Sequence, residues 1–192
     1  DLRAKLAKLE QAYLDAARQL GGKRKQAARA FSRQITAAMQ TLGMQGGVFE
    51  VSVRTRKDQS YGSHGLDDIE FMVSANTGQP VQPLSKVASG GELSRISLSI
   101  QVICASGATI PTLIFDEVDS GIGGGVAEIV GQHVRSLGVD RQVLCVTHLP
   151  QVAALATRQM QVTKLSGEDT TRTRIRTLNA EERVDELARM LG

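Results

Sequence analysis

The segment Pro111-Thr112-Leu113-Ile114-Phe115-Asp116-Glu117 carries the strongest structural signal in this chain of 192 residues. It sets a short apolar run between a proline and two acidic residues, which predicts a strand that is buried on both faces. A helical pattern follows over residues 126–137, and a second apolar strand pattern follows over residues 142–147. Strand, helix and strand in this order indicate parallel β-α-β packing and an α/β fold with a largely parallel sheet and flanking helices.

Helix and strand patterns continue on both sides of this unit. We expect a helix from Glu92 to about Ala105, a short helix at residues 151–156 and a strand at residues 159–165. Asn179 and Glu182 have the spacing of a capping box, which predicts the start of a last helix. Before that helix, Arg172, Arg174 and Arg176 alternate with uncharged residues. This pattern is typical of a solvated edge strand or of a phosphate-binding surface.

The first 42 residues have the spacing of a coiled coil. Larger or apolar side chains recur at alternating steps of four and three residues, at Leu2, Leu6, Leu9, Tyr13, Ala16 and Leu20. Because Gly21 and Gly22 weaken a helix, we expect one long but interrupted helix that ends near Gly43. Two antiparallel strands at residues 48–56 and 68–74 and a turn at residues 76–80 are expected to follow.

The composition suits a soluble globular protein of one or two domains. It is 41% apolar, 22% charged and 3% aromatic, which excludes disordered and collagen-like chains. No apolar run approaches the roughly 18 to 20 residues of a membrane helix, and the first residues do not resemble a secretion signal, so we expect a cytoplasmic location. Cys104 and Cys145 lie in apolar runs and are predicted to be buried thiols rather than parts of a disulfide or zinc site.

The formal net charge of +3 is unevenly distributed. Residues 1–42 contain nine Lys and Arg residues against three acidic ones, so this segment is positive and the remainder of the chain is negative. A basic segment can contact nucleic-acid phosphates, although charges outside a coiled-coil seam are more typical of a solvated face. The chain lacks an initiating Met, which suggests a piece of a longer protein.

The segment Ser89-Gly90-Gly91-Glu92-Leu93-Ser94-Arg95 places paired glycines at the start of a predicted helix. Glycines there let backbone N–H groups approach an anion at the positive end of the helix dipole, so the segment suits phosphate binding. The same residues also suit an ordinary capping box of Ser89 and Glu92, in which the glycines only permit a tight turn.

Three polar residues follow the two strands of the β-α-β unit, where open α/β sheets place their ligand sites. Asp116 suits Mg²⁺ binding, and Glu117 suits orienting or deprotonating a water that attacks a γ-phosphate. His148 follows the second strand and suits contact with a γ-phosphate. Each of the three also suits a plain polar strand end.

Taken in chain order, these motifs resemble those of ABC-type ATPases. Residues 89–92 resemble the signature motif, 112–117 resemble Walker B with its catalytic acid, 118–121 resemble the D-loop, and Thr147-His148 resembles the switch histidine. Residues 87–95, 114–123 and 145–153 are most similar to SMC-like members of the family that act in bacterial DNA repair. The similarity extends through residues 66–71 and the last helix, covers nearly the whole chain and is weakest over residues 1–42.

The resemblance implies the C-terminal lobe of an ATPase head at residues 44–192, preceded by a coiled-coil segment at residues 1–43. Two heads would hold ATP between them, and one head would contact the γ-phosphate bound by the other through Ser89, Gly90, Gly91 and Glu92. ATP binding would drive head engagement, hydrolysis would release it, and the implied process is recombinational repair of DNA double-strand breaks in the nucleoid.

The resemblance also assigns roles to the acidic residues and to the histidine. Asp116 would bind Mg²⁺, Glu117 would act on the attacking water, His148 would contact the γ-phosphate, and Asp119 would help to couple the two sites. The chain contains no Gly-x-x-x-x-Gly-Lys-Ser/Thr phosphate loop and no recognisable Q-loop. In the family these belong to an N-terminal half-head beyond the coiled coil, so the expected partners are that half, a second copy and DNA, and this chain alone is expected to lack ATPase activity.

Three alternatives stay open. The signature and Walker B patterns also occur in the nucleotide-binding domains of ABC transporters, although the heptad spacing and residues 118–123 argue against that class. A non-hydrolysing DNA-tethering or dimerisation module is a second alternative, which Glu117 disfavours for the complete protein. A metal hydrolase built on Asp116, Glu117, Asp119 and His148 is a third.

Overall fold

The structure is a computed structural model that describes residues 1–56, 61–87, 89–104, 110–166 and 171–192. Its contacts group the chain into a first unit, Asp1–Gln40 with Met44–Ala88, and a second unit, Thr41–Gly43 with Ser89–Gly192. The division into a coiled-coil segment and a head lobe at residues 43 and 44 concerns the organisation of a longer protein and stays a prediction.

Helix α1 (Leu2–Thr41) runs for 40 residues without a break. The predicted interruption at Gly21 and Gly22 is therefore wrong. Gly21 is buried, and a Cβ at this position would lie 2.8 Å from a carboxylate oxygen of Asp67. Its missing side chain thus allows Asp67 to pack directly against the helix. The predicted end of the helix is confirmed, and Gly43 follows it with a φ of +78°.

An antiparallel sheet of three strands belongs to the first unit. Strands β1 (Val48–Thr55) and β2 (Asp67–Ser74) pair along their whole length, as predicted, and β3 (Gln82–Pro83) adds a short strand that was not predicted. The expected turn after β2 is confirmed by the left-handed φ of +82° at Gly78. Aromatic rings join the helix to the sheet. The ring centroids of Phe31 in α1, Phe49 in β1 and Phe71 in β2 lie 5.4 to 6.2 Å apart.

The second unit contains the predicted β-α-β element. Helix α2 (Gly90–Ile103) precedes strand β4 (Thr112–Phe115), helix α3 (Gly124–Leu137), strand β5 (Gln142–Cys145) and the short helix α4 (Pro150–Ala153). β4 and β5 pair in parallel, which confirms the predicted connection, and α3 packs against α2, α4 and β5. Ala105, where the sequence places the end of the first of these helices, lies outside the described residues.

A hairpin and a helix follow. Strands β6 (Met160–Ser166) and β7 (Thr171–Thr177) pair antiparallel, and helix α5 (Ala180–Leu191) begins with the predicted capping box. Asn179 Oδ1 accepts the Glu182 N–H at 2.9 Å, and the hydrogen bond from the Asn179 N–H lowers the pKa of Glu182. The alternating arginines of β7 are exposed, as in a solvated strand, at Arg172, Arg174 and Arg176.

Two features of the predicted sheet are wrong. The sheets are small, and of the strand pairs in the described residues only β4 with β5 is parallel, so the fold is not built on a largely parallel sheet. β4 is also buried on one face only, because Leu113 and Phe115 are covered whereas the Ile114 side chain is 70% exposed. The apolar composition that suggested two-sided burial therefore leaves one apolar face uncovered in this chain.

Both cysteines are free thiols, and the prediction that both are buried is wrong for Cys104, which is exposed. Cys145 is half-buried; burial and the neighbouring charges of Asp119 and Asp116 raise its pKa to about 12, so its thiol stays protonated at neutral pH. In the described part of the chain, no helix combines the length and the apolar character that crossing a bilayer requires.

Candidate functional site

The start of α2 is an exposed helix end whose first residues are held by a cap. Ser89 has an extended backbone, and its Oγ accepts the Glu92 N–H at 3.4 Å. Ser89 and Gly90 are exposed, whereas Gly91 is buried, and a Cβ on Gly91 would lie 3.0 Å from the Cβ of Ser120. The Ser89 half of the predicted capping box is confirmed, and the close approach of Ser120 gives the second glycine a packing role. The first-turn N–H groups of this exposed end remain suited to an anion.

The end of β4 delivers two carboxylates to the surface beside that helix start. Asp116 and Glu117 are both exposed. Among the described residues other than glycine, only Glu117 has a positive φ, of 56°, and this left-handed conformation costs on the order of 1 kcal/mol or more. The Glu117 carboxylate lies so close to Gly90 that a Cβ on that glycine would overlap it. The structure therefore places the end of one predicted motif in contact with the start of another.

Two side chains of α2 fix the segment after β4 in this position. Ser94 donates its hydroxyl hydrogen to the carbonyl of Asp116 at 2.7 Å, and Arg95 Nη1 donates to the carbonyl of Ser120 at 2.7 Å. Arg95 is only 6% exposed, and its burial lowers the pKa of the guanidinium. Neither residue was identified from the sequence as one that positions the site. Their place one turn after the helix start could have indicated this role, because residues three or four apart lie on the same face of a helix.

Asp119 anchors the segment that follows β5. It is 1% exposed, and its carboxylate accepts the Thr147 hydroxyl and the backbone N–H groups of His148 and Leu149, the latter two at 3.1 and 3.3 Å. His148 Nδ1 lies 3.5 Å from the same carboxylate oxygen, while most of the His148 side chain is exposed. The structure thus joins Asp119 to His148, and the coupling role assigned to Asp119 by resemblance stays a prediction.

The predicted site residues form two linked groups. One comprises the start of α2 with the end of β4, and the other comprises Asp119 with the segment at His148. The turn that contains Asp119 and Ser120 joins the two groups, because Arg95 of α2 donates to the Ser120 carbonyl and Asp119 accepts the His148 N–H. Within the described residues there is no cluster of three His, Cys, Asp or Glu side chains placed to hold a metal ion, so the metal-hydrolase alternative finds no ligand set there.

Comparison with known sequences identifies close relatives, while no protein-family model matches the chain. The chain is 46% identical over 180 residues to the DNA repair protein RecN of Xylella fastidiosa, which covers 94% of this chain and 32% of that protein. It is also 46% identical over 185 residues to the DNA repair protein RecN of Vibrio cholerae, which covers 96% of this chain and 33% of that protein. The chain thus spans about a third of the length of these curated relatives.

Solved structures of SMC proteins share the fold. The Smc head domain with a coiled coil and joint from Pyrococcus yayanosii superposes with a TM-score of 0.63 and 17% identity, over 99% of this chain and 35% of that chain. A structure from work on ATP-driven dimerization and DNA-stimulated activation of SMC ATPases gives a TM-score of 0.52 and 17% identity, over 90% of this chain and 98% of that chain. The chain is therefore a homologue of the DNA repair protein RecN over about a third of that protein's length, with the fold of an SMC head domain.

Proposed function

We propose that this chain is the C-terminal half of an ATPase head in DNA double-strand break repair, in which ATP binding drives head engagement and hydrolysis releases it. The observation that carries the proposal is the junction of α2 with the end of β4. Ser94 and Arg95 tie the segment from Asp116 to Ser120 to the helix, so the signature-like and Walker B-like motifs share one surface. The RecN homology and the SMC head fold support the same function.

The exposed helix end fits a phosphate group from another head. Its first-turn N–H groups and the positive end of the dipole suit the charge of a γ-phosphate, and Ser89 and Gly90 are accessible to it. We assign this contact to the segment Ser89-Gly90-Gly91-Glu92. Since the nucleotide is held by the opposite head, this contact forms only when two heads engage, so bound ATP favours dimerisation.

The exposed carboxylates of Asp116 and Glu117 fit metal binding and activation of the attacking water. Asp116 suits Mg²⁺, which binds one or two carboxylates beside nucleotide oxygens and neutralises phosphate charge when bound. Glu117 orients or deprotonates the attacking water, and His148 contacts the γ-phosphate. Asp119 holds the backbone of His148 and thereby places the imidazole relative to the end of β4.

A complete nucleotide site needs an N-terminal half-head that supplies the phosphate loop, because this sequence has none. The uncovered face of β4 and β5 suits that partner. Ile114 and Leu144 are paired across the two strands, and they are exposed by 70% and 39%. Val146, which follows on the same face, is 61% exposed. An exposed apolar face of this kind favours burial beneath the missing half. Because this sequence lacks the phosphate loop, the chain alone should show no ATP hydrolysis.

Ser89→Arg in the complete head tests the proposal. An arginine at this exposed cap position blocks the approach of a phosphate-bearing partner head, while the phosphate loop in the other half is unchanged. We expect ATP-dependent dimers to be lost in analytical ultracentrifugation, while a single head still binds a fluorescent ATP analogue.

The matched control is Ser97→Arg, which makes the same substitution at an exposed position two turns further along α2. This variant should dimerise with ATP like the unsubstituted protein. Dimers that persist in Ser89→Arg would show that the start of α2 does not contact the nucleotide of the opposite head.

A further inference from the structure

A groove of about 760 Å³ lies in the first unit between α1 and β1. Its helix wall is basic, and its strand wall is an edge of the β1-β2-β3 sheet, because β1 pairs with β2 and with no other strand of the described residues. The groove is lined on the helix side by Lys25, Ala28, Arg29, Ser32 and Arg33 and on the strand side by residues 50–53.

The three cations of the groove form a row with free charges. Lys25, Arg29 and Arg33 are spaced by four residues and therefore share one side of α1. All three are exposed, and none forms a salt bridge with a described residue. Arg24 differs, because it donates to the His64 carbonyl at 2.8 Å and lies 3.6 Å from Asp67. The row is thus distinct from the arginine that α1 uses for its own packing.

Hydroxyl groups beside the row hold it at a fixed position against the strand. Ser32 Oγ accepts the Val51 N–H at 2.9 Å, and Thr36 Oγ1 accepts the Phe49 N–H at 3.0 Å. Ser32 and Thr36 are four residues apart on the helix, and the residues that they bind, Val51 and Phe49, are two residues apart on the strand. Ala28 and Val53, which come one such step further along the helix and the strand, both line the groove.

We propose that this groove binds the phosphodiester backbone of DNA, which rests on the proposed function in DNA repair and adds the surface of contact. The row spans about 12 Å along the helix, and one DNA strand carries a charge about every 3.4 Å along its axis, so the row reaches a few successive phosphates. Glu50 is the single carboxylate among the lining residues, so the groove keeps a positive balance. The contacts are to phosphates and carry no base sequence preference.

The salt dependence of DNA binding tests the proposal. We would measure binding of the 192-residue chain to a labelled mixed-sequence duplex by fluorescence anisotropy, between about 50 and 200 mM salt. The triple variant Lys25→Gln, Arg29→Gln, Arg33→Gln removes three phosphate contacts. Because each contact contributes about 0.9 to the slope of log K against log salt, the slope should become shallower by about 2 to 3.

A charge-matched control separates this groove from the general charge of α1. Arg3→Gln, Lys5→Gln, Lys8→Gln removes three exposed cations from the same helix, outside the groove, and should leave the slope within about 1 of the unsubstituted chain. Circular dichroism of both variants checks that α1 is intact.

Equal slopes for the groove variant and the unsubstituted chain would overturn the proposal, as would a chain that binds no DNA. Binding of polyglutamate in place of DNA, lost in the groove variant, would assign the groove to an acidic protein instead. This assay contains no nucleotide, so its failure is distinguishable from a failure of the Ser89→Arg test of head engagement.

Discussion

At the scale of single residues, Asp119 shows how one buried carboxylate organises two loops. It lies in the turn after β4, yet its hydrogen bonds go to Thr147, His148 and Leu149 after β5. A buried carboxylate is stable only when its acceptor sites are filled, and three donors satisfy it here. The same contacts restrict the backbone of His148, whose imidazole is the group that we assign to the phosphate.

Asp119→Ala is expected to destabilise the chain by about 1 to 3 kcal/mol, because the His148 N–H loses its acceptor, whereas the Leu149 N–H and the Thr147 hydroxyl keep a hydrogen bond within their own turn. Urea unfolding followed by circular dichroism measures the change. Asp116→Ala is the matched control, because its carboxylate is exposed and its removal should alter stability by about 0.5 kcal/mol or less. Equal effects of the two substitutions would show that the Asp119 contacts contribute little.

At the scale of elements, α1 continues through two glycines that weaken its helix propensity. A glycine in a helix interior costs about 1 kcal/mol relative to alanine, which is why the sequence predicts an interruption at Gly21 and Gly22. The structure separates the two residues. Gly21 faces Asp67 at close range, whereas a Cβ on Gly22 would meet no atom within 4 Å. Packing therefore explains the first glycine, and nothing in the structure explains the second.

The two glycines give opposite predictions for the same substitution. Gly22→Ala should stabilise the chain by about 0.5 to 1 kcal/mol, because it gains helix propensity at no steric cost. Gly21→Ala should be net destabilising, because its Cβ would lie 2.8 Å from the Asp67 carboxylate and would force that group out of its place beside α1. Thermal unfolding of both variants measures the difference, and a gain of stability in Gly21→Ala would contradict the packing argument.

For strand β4, the apolar composition predicted the strand correctly but its burial on both faces wrongly. Its apolar run matches a strand in the centre of a covered sheet, and the run does form the predicted strand. In the described residues only one face of the strand is covered, so Ile114 is left exposed. Hydrophobicity reports what a strand is suited to contact, whereas burial depends on which elements the chain supplies.

At the scale of the whole molecule, the chain presents apolar surfaces that its own described residues do not cover. These comprise the face of β4 and β5 and the seam of α1, where the exposed side chains include Leu2, Leu6, Leu9, Ile114, Leu144 and Val146. Exposed apolar surface of this extent is typical of an interface. It agrees with a chain that spans about a third of its RecN relatives.

Ile114→Lys tests whether the β4 and β5 face is such an interface. Since Ile114 is 70% exposed, the substitution should alter the stability of this chain by about 0.5 kcal/mol or less. Copurification with the N-terminal half-head should be lost, because a charge would be buried without a partner. Val139→Lys, at a loop position that is 79% exposed, is the control and should copurify normally. Normal copurification of Ile114→Lys would place the other half elsewhere.

Local sequence patterns sufficed for the elements whose signals are short-range. The period of the apolar residues predicted α1, the helical pattern over residues 126–137 predicted α3, and the apolar run between Pro111 and Asp116 predicted β4. The spacing of Asn179 and Glu182 predicted the cap of α5. All of these features depend on neighbours that are close in the sequence. The order of strand and helix also predicted the parallel pairing of β4 with β5, since the handedness and length of such a connection leave few alternatives.

Contacts between distant segments were decided by tertiary packing alone. The close approach of Asp67 to Gly21 depends on how β2 packs on α1, the placement of Glu117 beside Gly90 depends on how α2 packs, and the anchoring of His148 depends on a carboxylate 29 residues earlier. The exposed face of β4 likewise depends on which surfaces meet. A sequence records the chemical character of each side chain, but the free energy of these contacts depends on distances that exist only once the chain has folded.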